Sequence, residues 1–149
     1  MGKIKRINHI GVAVGSIDEQ LAFYRDVLGL EYEGDETVAD QKVRVAFFKV
    51  GETRVELLEP TGPDSPIAKF IEKRGPGLHH IAYGVEDLPG RIAELQKAGV
   101  QMIDQTPRPG GHDMKIAFIH PKSTFGVLTE ICEPGSARFR GSFPRDFAG

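Results

Sequence analysis

The chain has one cysteine, Cys132, no tryptophan, and no apolar run long enough to span a bilayer. A single thiol excludes an intrachain disulfide and fits a reducing compartment, so a cytoplasmic location is expected. The basic start, Met1 to Arg6, is not followed by the apolar stretch of a signal peptide, and neither a leader nor a membrane partner is expected. A surplus of one charge is also missing. Nineteen Lys and Arg stand against 21 Asp and Glu, a net charge of -2, which gives no electrostatic reason to expect nucleic acid as a partner. With 40% hydrophobic and 27% charged residues over 149 positions, the composition suits a single domain, 1–149, able to bury a core.

What the chain does have is repetition. Asn8-His9-Ile10-Gly11-Val12-Ala13-Val14 returns in outline as His79-His80-Ile81-Ala82-Tyr83-Gly84-Val85, and Glu56-Leu57-Leu58-Glu59-Pro60 returns as Glu130-Ile131-Cys132-Glu133-Pro134. Each half begins with a histidine on an apolar segment and ends with a glutamate on another. Two imidazoles and two carboxylates form a ligand set for one divalent metal.

The intervening pattern is β-α-β-β-β, used twice. Strands are expected over residues 7–14, 31–33, 43–50 and 53–59, and again over 78–85, 101–103, 115–120 and 126–133. The first helix has Ser16 and Glu19 as a capping box, Ile17, Leu21, Tyr24 and Leu28 as its apolar stripe and Gly29 as its stop. The second has Asp87 as cap, Leu88, Ile92 and Leu95 as stripe and Gly99 as stop. Repeat one covers about 4–60 and repeat two about 77–134. Between them, Ser65, Pro66 and Gly75 bound a connecting helix. Residues 107–111 read as a Pro/Gly loop, and 135–149 as a loosely docked tail whose three phenylalanines leave a partner contact open.

Alternation along a strand sorts the site residues. His9, Gly11 and Ala13 share one face, and His80, Ala82 and Gly84 share its counterpart. Each imidazole therefore stands on a face stripped of bulk, and the large apolar residues on the opposite face are expected to pack against helices. Glu56 and Glu130 lie amid apolar neighbours, where a carboxylate is costly to bury unless paired or bound to a metal. Glu59 and Glu133 point the other way and read as solvated edge groups. His79 reads as facing away from the metal, His112 as a loop residue able to touch a ligand, and Lys122 and Arg108 as candidate phosphate contacts or plain surface charges.

Duplicated β-α-β-β-β units with His and Glu at these positions resemble the vicinal oxygen chelate superfamily over about residues 4–134. Three stretches resemble in particular its epimerases that act on methylmalonyl-CoA: residues 55–60 with 64–70, then 77–82, then 120–123 with 126–130. The resemblance implies an α+β fold whose tandem repeats form curved mixed sheets around a metal cleft, with ligands His9, Glu56, His80 and Glu130. It implies one divalent metal, cobalt by family habit, with nickel, manganese or zinc as other choices. It also implies an acyl-CoA substrate, a homodimer, and interconversion of 2R and 2S methylmalonyl-CoA through a metal-stabilised enolate. Some of these epimerases carry an additional glutamate on the strand matching Val43 to Phe48. Val45 stands at that place here, so the two-glutamate scheme does not carry over in that form. Glu130 is the expected proton-transfer group, with Glu56 or a water on the metal as its counterpart. Competing expectations are a glyoxalase I-like isomerase of hemithioacetals, an Fe(II) extradiol-type oxygenase using two His and one carboxylate, and a metal-free binding module.

Overall fold

The structure is a computed structural model that describes residues 2–4 and 6–135; the tail expected beyond them lies outside the described residues. The chain divides into two compact units. The first runs from His9 to His79. The second joins the N-terminal segment up to Asn8 to the chain from His80 onward. The cuts, at 8/9 and 79/80, fall inside the two histidine-bearing segments, so each unit holds most of one repeat.

In the first unit, β1 (Ile7–Ala13) leads into α1 (Ile17–Leu21), then β2 (Glu31–Val38), β3 (Val43–Val50), β4 (Thr53–Pro60) and α2 (Pro66–Arg74). Strands β2, β3 and β4 form an antiparallel meander, and β1 pairs parallel to β4. Ser16 caps α1 by accepting the Glu19 N–H at 3.2 Å, and Asp18 and Glu19 place negative charge at the positive end of the helix. The helix then widens into a π turn over Ala22–Val27, with the Leu28 N–H donating five residues back to Phe23 O at 2.7 Å. One extra residue in a turn rotates the rest of the helix by about 100°. Leu28, expected in the buried stripe, is consequently exposed, while Tyr24 keeps its place against Phe48. Strand β2 is longer than the expected 31–33. It passes through a register shift between Tyr32 and Asp35, where Gly34 adopts φ +96°, a backbone angle that favours glycine. Connecting helix α2 has its cap where the sequence puts it: Ser65 Oγ accepts the Ile67 N–H at 3.1 Å.

The second unit repeats the plan. It contains β5 (Gly77–Gly84), α3 (Leu88–Lys97), β6 (Arg108–Pro109), β7 (Met114–Ile119) and β8 (Thr129–Pro134). Here β5 runs parallel to β8, while β6, β7 and β8 are antiparallel. The strand expected at 101–103 shrinks to one bridge, Met102 with Ile119. The pairing it would have made with β7 passes instead to Arg108–Pro109, inside the expected loop.

Each unit has a core on both faces of its sheet. Opposite His9, Ile17 of α1 packs on Val14, Ala46, Phe48 and Leu57. Opposite His80, Leu88 and Ile92 of α3 pack on Ala117, Ile119 and Ile131. The bulky strand faces thus meet the helices as expected.

Glu59 and Glu133 correct the expectation of solvated edge groups. Glu59 Oε1 accepts the Ile17 N–H at 2.7 Å, and Glu133 Oε1 accepts the Leu88 N–H at 3.0 Å. Each carboxylate takes a first-turn N–H that has no partner within its helix and complements the positive helix terminus. Glu133 is 8% exposed. Replacing Glu133 by Ala strands a buried donor, so the folded state is expected to lose about 1–3 kcal/mol, read from urea unfolding midpoints. Wild-type stability in that variant would mean that Glu133 does not clamp the helix.

Candidate metal centre

The parallel registers decide what stands beside each glutamate. Gly11 lies opposite Glu56, and Ala82 lies opposite Glu130. On the other side the antiparallel partners are Phe47 for Glu56 and Phe118 for Glu130. Each carboxylate thus sits between a small residue and an aromatic ring. The small neighbour leaves room for the imidazole of the same unit. His9 Nδ1 lies 3.4 Å from Glu56 Oε2, and His80 Nε2 lies 3.2 Å from Glu130 Oε1. All four side chains are largely withdrawn from water, at 7% and 12% exposure in the first pair and 5% and 4% in the second.

Two buried imidazole–carboxylate pairs at repeat-related positions supply the nitrogen and oxygen donors preferred by first-row divalent metals. Burying a carboxylate is expensive without an opposite charge, and a divalent ion would offset that cost in either pair. By their chemistry, these residues fit such a group.

The second pair has a further support that the sequence reading missed. His80 meets Phe118 edge-on at 5.5 Å, and the Arg108 guanidinium lies over the Phe118 ring, 5.6 Å from its centroid. Arg108 Nε is held by Asp104 Oδ1 at 3.0 Å, and Asp104 Oδ2 accepts the Phe118 N–H at 2.8 Å. Arg108 thus pairs with Asp104 and covers the ring that meets His80. The available signal was the repeat itself, since Ala46-Phe47-Phe48 returns as Ala117-Phe118-Ile119.

The other candidates separate from the pairs. His79 turns to Phe70 of α2, edge-on at 4.9 Å. His112 sits in a short turn with φ +55°. His120 caps the turn after β7, its Nδ1 accepting the Lys122 N–H at 3.0 Å, and Lys122 is exposed. Val45 is buried with Ala13, Val43, Phe47, Leu58 and Ile67, which leaves no ionisable group at that position. Cys132 is a residue the sequence reading did not assign. Its Sγ lies within 4.8 Å of a Glu130 carboxylate oxygen, because residues two apart share a strand face.

A chain of two such units, each with a buried His–Glu pair, belongs to the Glyoxalase/Bleomycin resistance protein/Dioxygenase superfamily, whose family model matches residues 8–118. It is 50% identical over 131 residues to an uncharacterized Bacillus subtilis protein, YqjC, spanning 88% of this chain and 94% of that protein. It is 38% identical over 130 residues to the ethylmalonyl-CoA/methylmalonyl-CoA epimerase of Cereibacter sphaeroides, spanning 86% and 97%. Among solved structures, a variant of Streptomyces coelicolor methylmalonyl-CoA epimerase in complex with 2-nitronate-propionyl-CoA matches with a TM-score of 0.85 at 36% identity, covering 90% of this chain and 97% of that one.

Ala82 is fully buried against Glu130. Ala82→Leu is expected to destabilise the fold by about 1–3 kcal/mol through overpacking, read as a lower urea midpoint. An unchanged midpoint would mean that the space beside Glu130 is slack.

Proposed function

We propose that the chain is an epimerase of 2R and 2S methylmalonyl-CoA. The observation that carries this reading is the pair of buried imidazole–carboxylate contacts, 3.4 and 3.2 Å, at matching places in both repeats. Relatives of this chain that share its fold over most of their length bear the name of that activity.

In this reading the two units are halves of one domain, and His9, Glu56, His80 and Glu130 hold one divalent metal. When bound, such an ion supplies Lewis-acid stabilisation of the enolate oxygen and chelates the substrate carbonyls. By resemblance we take cobalt as that ion and a homodimer as the assembly. The rest falls to the protein. Glu130 takes the α-proton at a carboxylate oxygen from a buried position beside the Phe118 ring. Phe118 and the Arg108–Asp104 pair fix the His80 ring, and through it the carboxylate. Glu56, the repeat mate, serves the opposite face of the α-carbon, since epimerisation needs an acid on one side and a base on the other. A second glutamate among the ligands also argues against the oxygenase triad of two His and one carboxylate.

The test is incubation of metal-loaded protein with one epimer of methylmalonyl-CoA in heavy water. The expected result is metal-dependent deuterium uptake at the α-carbon together with formation of the other epimer. Glu130→Gln is expected to slow exchange by about a hundred- to ten-thousand-fold. No exchange above background by wild-type protein carrying metal would overturn the reading. Full activity in Glu56→Gln would remove Glu56 from proton transfer while leaving it available as a ligand.

A further inference from the structure

The two units finish the histidine-bearing face of their sheets differently. In the first, Ala13, Val43, Val45, Phe47 and Leu58 form an apolar cluster, and Ile67, Phe70 and Ile71 of α2 pack onto it. Their counterparts in the second repeat are Gly84, Met114, Ile116, Phe118 and Cys132. There Met114, Ile116, Phe118 and Cys132 cluster with Ala82 and Leu128. All six belong to β5, β7 and β8 or to the residue just before β8. Among the described residues no helix joins this second cluster.

Open volume marks the difference. A cavity of about 580 Å³ is lined by Gly84, Met114, Cys132 and Pro134, the counterparts of Ala13, Val43, Leu58 and Pro60. Two of these exchanges, Ala13 to Gly84 and Leu58 to Cys132, also remove side-chain volume from the wall. The N-terminal segment adds Lys3, Arg6 and Asn8 to the lining, and the Arg6 stem passes over Gly84, its Cγ 3.3 Å from where a Cβ would stand there. Among the described residues that segment brings no apolar side chain to the cavity. Protein interiors are close-packed, so an apolar wall bordering this much volume calls for a further apolar group.

The chain leaves both units in the same way. Just past β4 the Thr61 N–H donates to Lys42 O at 3.2 Å, and just past β8 the Gly135 N–H donates to Asp113 O at 2.8 Å. Lys42 and Asp113 share a left-handed backbone, with φ +53° and +55°. In the first unit the chain then runs into α2, and the covering residues Ile67, Phe70 and Ile71 lie within 11 positions of Pro60. In the second it continues to Gly149, and Phe139, Phe143 and Phe147 lie within 13 positions of Pro134. Since Pro134 itself lines the cavity, this segment sets out from the cavity wall carrying three large apolar side chains.

We propose that residues 136–149 dock on the second unit, with Phe139 and Phe143 entering the cavity along Gly84, Met114 and Cys132 as the side chains of α2 cover Ala13, Val43 and Leu58. A buried phenylalanine removes about 150–250 Å² from water, which makes two rings a substantial anchor for a short segment. Gly141 and Pro144 oppose a continuous helix. The correspondence with α2 therefore lies in where apolar side chains arrive, not in the backbone that delivers them. Docking of this kind completes the core of the second unit and does not depend on which substrate the chain takes.

The test is photo-cross-linking of the full chain carrying a benzophenone amino acid in place of Phe143, with the products mapped by mass spectrometry. The expected product is an intrachain link to a peptide containing Met114 or Cys132. Absence of an intrachain link, links confined to other surfaces, or links only between chains, which would make a second copy the occupant, would each overturn the proposal. Trypsin supplies an independent readout, because Arg138 and Arg140 flank Phe139. Cleavage there in the wild-type chain is expected to be about tenfold or more slower than in a free peptide of residues 136–149. In the full chain with Phe139→Ser and Phe143→Ser, cleavage is expected to approach the rate of the correspondingly substituted peptide. A wild-type chain cut as fast as its free peptide would rule the docking out.

Discussion

A carboxylate and an imidazole kept from water on the face of a β-strand form the constraint around which each unit is built. A buried carboxylate is stable only beside an opposite charge or a set of donors, and a strand exposes one side chain in two to either face. Glycine or alanine must therefore stand opposite the glutamate, as Gly11 and Ala82 do. Rings flank it on the other strand, as Phe47 and Phe118 do. With bulk excluded from the histidine side of β1 and β5, the opposite side of these two strands is where their large apolar residues meet a helix. That is where α1 and α3 lie, over Phe48 and Leu57 in one unit and Ile119 and Ile131 in the other.

The same strands that carry these glutamates also hold the helices in place. Three residues beyond Glu56 and Glu130, on the other face, Glu59 and Glu133 take the first N–H groups of α1 and α3. Strands β4 and β8 thus each carry one acid on either face, and both acids depend on one register. A shift by one residue would exchange the faces, turning the helix-capping acid toward the imidazole and the imidazole's partner toward the helix. Capping and site geometry are therefore fixed together.

Much of this was legible in the sequence because repetition turns weak local signals into paired ones. His9 with His80 and Glu56 with Glu130 stood out by recurrence, and each histidine lies against the glutamate of its own half. Caps at Ser16, Ser65 and Asp87 were readable from local chemistry and hold the helix starts that they predicted. The features that escaped depend on tertiary pairing. Nothing local distinguishes Glu133 on a solvated edge from Glu133 under a helix end. The π turn that exposes Leu28 is invisible to a 3.6-residue period, and the bridge at Met102 is set by what β7 finds beside it. Arg108 read as a free charge because its partners Asp104 and Phe118 come together only when the strands form.

The outermost strands have a consequence for how copies of this chain behave at high concentration. An outer strand offers unpaired backbone groups to any other strand that approaches. In the second unit that strand is β6, two residues long and ending in Pro109, which is too short and too poor in donors to template addition. In the first unit it is β2, eight residues long, and its defence is of another kind. Glu31 and Glu36 add negative charge to it, beside Glu33 and Asp35, which pair with Arg54 and Arg44, and the register shift at Gly34 interrupts its line. Two copies meeting along β2 would press like charges together, so colloidal stability depends on an acidic margin in one half and on brevity in the other.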